Sequence, residues 1–153
     1  MAEPTGSGGA AAESHYRKLE RLYVGAPNNE YYRPSIRIER ERAEISIDAR
    51  PELFHAAHAV HGSVYFKLLD DAAFFAANSV VPDVFVLTAS FHIVLTRPVA
   101  EGRITAAGRL LNASRRVLVA ESELRSEAGK LLAHGSGTYM RSEIPLGPDV
   151  GYV

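Results

Sequence analysis

The chain has 153 residues, 46% of them hydrophobic and 23% charged, which is enough apolar material for one compact domain with its own core and too little for two. Lys and Arg total 17 and Asp and Glu total 18, a net charge of -1, so no overall field favours nucleic acid or an anionic membrane as a partner. Cysteine is absent, which excludes disulfide scaffolds, thiolate metal sites and a cysteine nucleophile, and suits a reducing compartment.

Residues 1–14 are rich in Gly, Ala, Ser and Glu. They carry no basic segment and no apolar run of about 7 to 15 residues such as a secretory signal requires, so they read as a flexible tail and the protein as cytoplasmic. From Ser14 to Val24, Tyr16, Leu19, Leu22 and Tyr23 fall on one helical stripe, and Gly25-Ala26-Pro27 stops the helix. Ile36 and Ile38 alternate with Arg37 and Glu39; the phase then shifts so that Ala43, Ile45, Ile47 and Ala49 form the apolar set. A bulge or a break between two strands fits this shift, and Pro51 ends the second strand. Gly62 to Val80 is apolar nearly all round, the pattern of a buried helix. Phe85, Leu87, Ala89, Phe91, Ile93 and Leu95 then alternate with Thr88, Ser90 and His92, which predicts a long strand with one apolar face.

After a turn over 97–102, three further strands are expected at Ile104–Leu110, Val117–Ser126 and Leu131–Met140, separated by turns at 112–115 and 127–129. The last four strands together read as an antiparallel meander. Residues 144–153, with Pro145, Gly147, Pro148 and Gly151, are expected to be an irregular tail. No stretch approaches the ~20 apolar residues that span a bilayer, so no membrane partner is expected. A single domain over residues 15–143 thus combines one buried helix with four long antiparallel strands. This is an α+β arrangement whose sheet must curl around the helix to cover its aromatic residues.

Chemistry is concentrated in and just before that helix. Asp70 and Asp71 are adjacent within it, and Lys67 is the only other charged residue between Gly62 and Val80. Lys67 stands at i,i+3 and i,i+4 from them and can pair with one. The second carboxylate bears a desolvation cost unless it is hydrogen-bonded or used in chemistry. His55, His58 and His61 recur every three residues; three imidazoles can bind zinc, but the spacing matches no recognised ligand pattern, and no metal is expected. The first N–H groups of the helix, starting at Gly62, lack intrahelical partners and lie at the positive end of its dipole, where they can hold a developing oxyanion. His92 and His134 read as structural strand histidines.

The runs HGSVYFKLLDDAAFFAAN (61–78), TASFHIVLTRP (88–98) and GRLLNASRRVLVAESELRSEAGKLLAHGSGTY (108–139) resemble the hotdog-fold acyl-CoA thioesterases of the PaaI-like, phenylacetate-pathway type, over about residues 35–141. The resemblance implies the hotdog fold, a long buried central helix wrapped by a curled antiparallel sheet. It also implies hydrolysis of an acyl- or aryl-acyl-CoA to free acid and CoA, with no cofactor. It carries the family's catalytic aspartate onto Asp70, nine residues after the motif histidine His61, and the oxyanion N–H onto Gly62. The hydroxyl that orients the attacking water or the carboxylate falls on Thr88. In the family the glycine and the aspartate come from different subunits, so a homodimer is implied, with dimers pairing further.

This chain departs from the pattern at His55, where many relatives have an asparagine that positions water, and at His58, where glycine is common. Ser63 replaces the second glycine of His-Gly-Gly, brings a side-chain donor and is a candidate for substrate binding. Asn112, Arg115 and Arg116, with Arg109 nearby, are candidates for binding CoA, the arginines through its phosphates; a solvated hairpin turn is the alternative. Tyr65, Phe66, Phe74 and Phe75 either narrow an acyl tunnel or pack the core. Because a fold hosts several activities, two other readings stand beside hydrolysis: an acyl-CoA hydratase or dehydratase, toward which only His55 leans, and a non-catalytic acyl-CoA or acyl-carrier binding module.

Overall fold

A computed structural model describes residues 7–153. The elements are α1 (Ser7–Val24), α2 (Asn29–Tyr32), β1 (Ser35–Glu39), β2 (Arg42–Asp48), α3 (Gly62–Asn78), β3 (Val84–Leu95), β4 (Arg103–Ala113), β5 (Val117–Ser126) and β6 (Leu131–Pro145), with short 3-10 turns at Pro51–Leu53 and Pro148–Val150. The strands form one antiparallel sheet in the order β1-β2-β4-β5-β6-β3, and α3 lies against it as the buried central helix of the α+β arrangement.

The inward residues of the sheet and nearly all of α3 make the core. Val64, Tyr65, Leu68, Leu69, Ala72, Ala73, Phe75, Ala76 and Ala77 are buried on the helix, against Ile45, Ile47, Ile104, Ala106, Leu118, Ala120, Leu124 and Tyr139 from the strands. Helix and sheet approach very closely at Gly108, where a Cβ would lie 2.2 Å from the Ala72 carbonyl oxygen. Ser122 reinforces the same junction by donating its hydroxyl proton to the Leu69 carbonyl at 2.6 Å. Tyr65, Phe74 and Phe75 are buried core residues, whereas Phe66 is 41% exposed.

Three expectations need correction. The helix expected from Ser14 begins at Ser7, because Ala10, Ala11 and Ala12 favour helix and Ala12 packs on the core; residues 1–6 of the expected tail lie outside the described residues. The long strand β3 is not part of a meander with its successor. The meander is β4-β5-β6, and β3 pairs with β6 at the far edge, because a period of two specifies which face is buried and leaves the neighbouring strand open. At the other end of the chain, β6 continues to Pro145 and Tyr152 donates or accepts a 2.7 Å hydrogen bond with His15 of α1.

The two edges of the sheet are treated differently. Along β1, Arg17 of α1 donates to the Ile38 carbonyl at 2.6 Å, and Glu20 accepts the Ile38 N–H at 2.7 Å, so a helix covers that edge. Among the described residues no strand pairs with the outer edge of β3, which carries exposed Leu87, Val94 and Leu95. No helix among the described residues is long and apolar enough to cross a membrane.

Candidate active site

The two adjacent aspartates of α3 have separate environments. Asp71 receives the Lys67 ammonium at 2.7 Å and the Tyr23 hydroxyl at 2.8 Å, while Lys67 also sits over the Tyr32 ring, 4.9 Å from its centroid. Asp71 therefore pins α3 to the N-terminal helices, and the ion pair expected from the spacing is formed at this carboxylate. Asp70 has no cation in contact among the described residues. Thr88 offers its hydroxyl at 3.1 and 3.3 Å to the two carboxylate oxygens, and Tyr139 offers its own at 3.1 Å to Oδ1. Burial pushes the Asp70 carboxyl from its ordinary 3.8 up to about 6; the neighbouring Asp71 charge adds to this, while the Thr88 and Tyr139 hydrogen bonds and the Lys67 charge oppose it.

A bulge brings Thr88 to this carboxylate. Thr88 pairs with Tyr139 and Ser90 with Thr138, so Ala89 has no partner on β6. The extra residue changes the phase of the strand, and Thr88 faces the helix on the same side as Phe91. Uninterrupted alternation would have left Thr88 with Ser90 and His92 on the outer face.

At the other end of the same helix, His61 is the N-cap: its Nδ1 accepts the Ser63 N–H at 3.0 Å and lies 2.8 Å from the Ser63 hydroxyl. Both contacts make Nδ1 an acceptor, which leaves the ring proton on Nε2. Ser63 is thereby committed to the cap. The Gly62 N–H has no partner among the described residues, and Gly62 lines a cavity of about 340 Å³ together with His55, Val60, Tyr65, Leu95 and Arg97. His55 accepts the Ala57 N–H on Nδ1 at 3.0 Å, so its Nε2 is the nitrogen left to meet a ligand. His58 has φ of 62°, a left-handed conformation that glycine adopts at no steric cost. His55 and His61 have ring centroids 6.4 Å apart, and among the described residues no three His, Asp or Glu side chains are grouped as metal ligands.

The remaining candidates are more dispersed. Arg115 and Arg116 lie exposed in the turn between β4 and β5. The register Val117 to Met140 to Leu87 brings that turn to the Asp70–Thr88 end of the sheet. Asn112 follows an irregularity in the β4–β5 pairing and is exposed. Arg109 is held by Glu121 at 2.6 Å and so is less free than its sequence position suggests. His92 is exposed on the outer side of β3, and His134 lies 3.2 Å from Glu121. Sequence reasoning missed Tyr139, whose side chain is fully buried on β6 beneath α3; inward alternation in HGSGTY was the available signal, and it reads equally well as core.

A family model described as the thioesterase superfamily matches residues 57–133, just over half of the chain. The chain belongs to the thioesterase superfamily. Among solved structures, the E. coli PaaI protein from the phenylacetic acid degradation operon superposes with a TM-score of 0.80 at 18% identity, covering 88% of this chain and 98% of that one. A variant of the phenylacetic acid degradation protein PaaI from Thermus thermophilus gives 0.69 at 28% identity, over 76% of this chain and 100% of that one. A candidate esterase of Saccharolobus solfataricus is 27% identical over 104 residues, which is 68% of this chain and 74% of that protein. The hotdog architecture of this superfamily member is thus shared over nearly the whole of the PaaI chains, and the match spans the segment that holds Gly62, Asp70 and Thr88.

Proposed function

We propose that this thioesterase-superfamily chain hydrolyses the thioester of an acyl- or aryl-acyl-CoA, with Asp70 as nucleophile or general base and the Gly62 N–H as oxyanion donor. One observation carries the reading: a carboxylate on an apolar helix, raised to about 6 by burial and held by two hydroxyls, on the same helix whose unpaired first N–H lines a cavity. In this scheme the thioester carbonyl oxygen accepts the Gly62 N–H at the positive end of α3. Asp70 attacks the carbonyl carbon or takes a proton from the attacking water. Collapse of the tetrahedral intermediate expels the CoA thiolate, which takes up a proton as the free thiol. On the nucleophilic route water then cleaves the acyl–Asp70 anhydride to free acid and Asp70; on the general-base route the free acid forms directly. Thr88 keeps the carboxylate aimed. His55, through Nε2, and His61, through the helix cap, shape the oxyanion end.

One copy cannot supply both parts. Gly62 and Asp70 are eight residues apart on one helix, about 12 Å at 1.5 Å per residue, whereas the oxyanion donor and the attacking group must meet the same carbonyl within about 3 Å. A second copy, docked along the bare β3 edge, would place its Asp70 at the first copy's Gly62.

The test is thiol release from short, medium, long and aryl acyl-CoAs, read with a thiol reagent that finds no cysteine in the protein. Asp70→Asn is expected to lose about 10²- to 10⁴-fold in kcat, while Asp71→Asn keeps turnover per folded chain. Hydration of an enoyl-CoA without thioester cleavage, or saturable binding without product, would replace the hydrolase reading.

A further inference from the structure

Resting on Asp70 as the reaction's nucleophile or general base, we infer that Tyr139 is a positioning residue for the reaction. Its buried phenol fixes one oxygen of Asp70 and sets the pH at which that carboxylate becomes available. Asp70 is anchored on both sides. Thr88 reaches it from β3, the strand along which the second copy is proposed to dock, and is exposed within its own chain. Tyr139 reaches it from β6 with a side chain that is fully buried, so the tyrosine is the rigid member of the pair.

The phenol has one proton and two nearby acceptors, Asp70 Oδ1 at 3.1 Å and the Asp70 carbonyl oxygen at 3.3 Å. The carbonyl lies inside α3 and already serves the helix ladder, so the carboxylate is the stronger claimant. Burial and the adjacent Asp70 charge both push the Tyr139 hydroxyl above the ordinary phenol range, which keeps it a donor throughout the working pH range. Phe74 packs edge-on against its ring at 5.9 Å between centroids. The ring cannot swing away without opening the core.

The donated bond favours the charged form of Asp70 and leaves Oδ2 with Thr88 as its one hydrogen-bond partner among the described residues. The groups that face this carboxylate are Asp71 and Lys67 from α3, Thr88 from β3 and Tyr139 from β6; Tyr23 of α1 acts one step away, through Asp71. Asp71 and Lys67 neutralise each other at 2.7 Å. Against burial, the two hydroxyls are therefore the main local groups that keep Asp70 ionised.

Tyr139→Phe removes the donor and retains the ring. The experiment follows the Asp70 carboxyl by ¹³C NMR titration in wild type and Tyr139→Phe, with the pH profile of kcat/KM for acyl-CoA hydrolysis and a thermal melt in parallel. Both the titration midpoint and the acidic limb are expected to move up by about one pH unit, a roughly tenfold loss below the limb, with KM nearly unchanged and much of the rate regained above it. Unmoved midpoint and limb in a folded Tyr139→Phe would overturn the inference. A midpoint that moves while the limb stays would uphold Tyr139 as the tuner of Asp70 and overturn Asp70 as the attacking group. If Tyr139→Phe does not fold, 3-fluorotyrosine at position 139 keeps the hydroxyl and makes it a stronger donor, and the midpoint is then expected to move down; no movement would overturn the inference.

Discussion

Asp70 costs the fold stability, and that cost has a definite pH dependence. Its carboxyl rises from 3.8 to about 6 on folding, so between those values the native state binds more protons than the unfolded chain. The stability it contributes is full below about pH 4 and is lost as the pH climbs through about 6. Asp70→Asn, expected above to lose about 10²- to 10⁴-fold in kcat, is therefore expected to stabilise the protein by about 1 to 3 kcal/mol at pH 8, with little difference at pH 4. Chemical denaturation at the two pH values measures this; an Asp70→Asn variant less stable than wild type at pH 8 would contradict it. At this scale the Asp70–Asp71 pair stood out because a charge in an apolar helix is a visible inconsistency and Lys67 could satisfy only one of two neighbours; the choice of Asp70 came from the resemblance, since Lys67 stands within reach of both by spacing. Tyr139 did not stand out, because a tyrosine at an inward strand position has the same pattern whether its hydroxyl serves the core or a carboxylate.

At the scale of elements, the site depends on how closely α3 lies on the sheet and on where β3 changes phase. Gly108 sits under Ala72 and Ala73, one turn from Asp70, and an added Cβ would meet backbone atoms at 2.2 to 2.7 Å. Gly108→Ala is expected to cost about 1 to 3 kcal/mol or more and to lower kcat by displacing the helix; a variant of wild-type stability and rate would show that this contact does not set the helix position. The bulge at Ala89 is the corresponding device on β3. Alternation across 85–95 made the strand and its apolar character readable, but not the extra residue, since Ala is compatible with either face and the turn of phase is visible only in the pairing with β6. Strand order was hidden for a related reason: β2 and β4 match over seven registered pairs, a match between distant segments that no local pattern reports.

At the largest scale, the decisive feature is the contrast between an edge sealed by α1 and the outer β3 edge, with which no other described strand pairs. Exposed Leu87, Val94 and Leu95 on a 12-residue edge strand, with Phe66 exposed on α3 beside Phe91, are a costly surface for an isolated chain. A two-fold pairing along β3 would bury them and join the oxyanion end of one copy to the carboxylate of the other. Complementation between two disabled chains tests this most directly. Gly62→Pro removes the donor N–H at a helix position that tolerates proline, after a His61 already extended at ψ of 144°; Asp70→Asn removes the carboxylate. Each variant alone is expected to be inactive. Mixed in equal amounts and allowed to exchange subunits, they should recover about a quarter of wild-type activity, because half of the dimers are mixed and each then holds one intact site. Demonstrated exchange with no recovery would contradict a site shared between two copies.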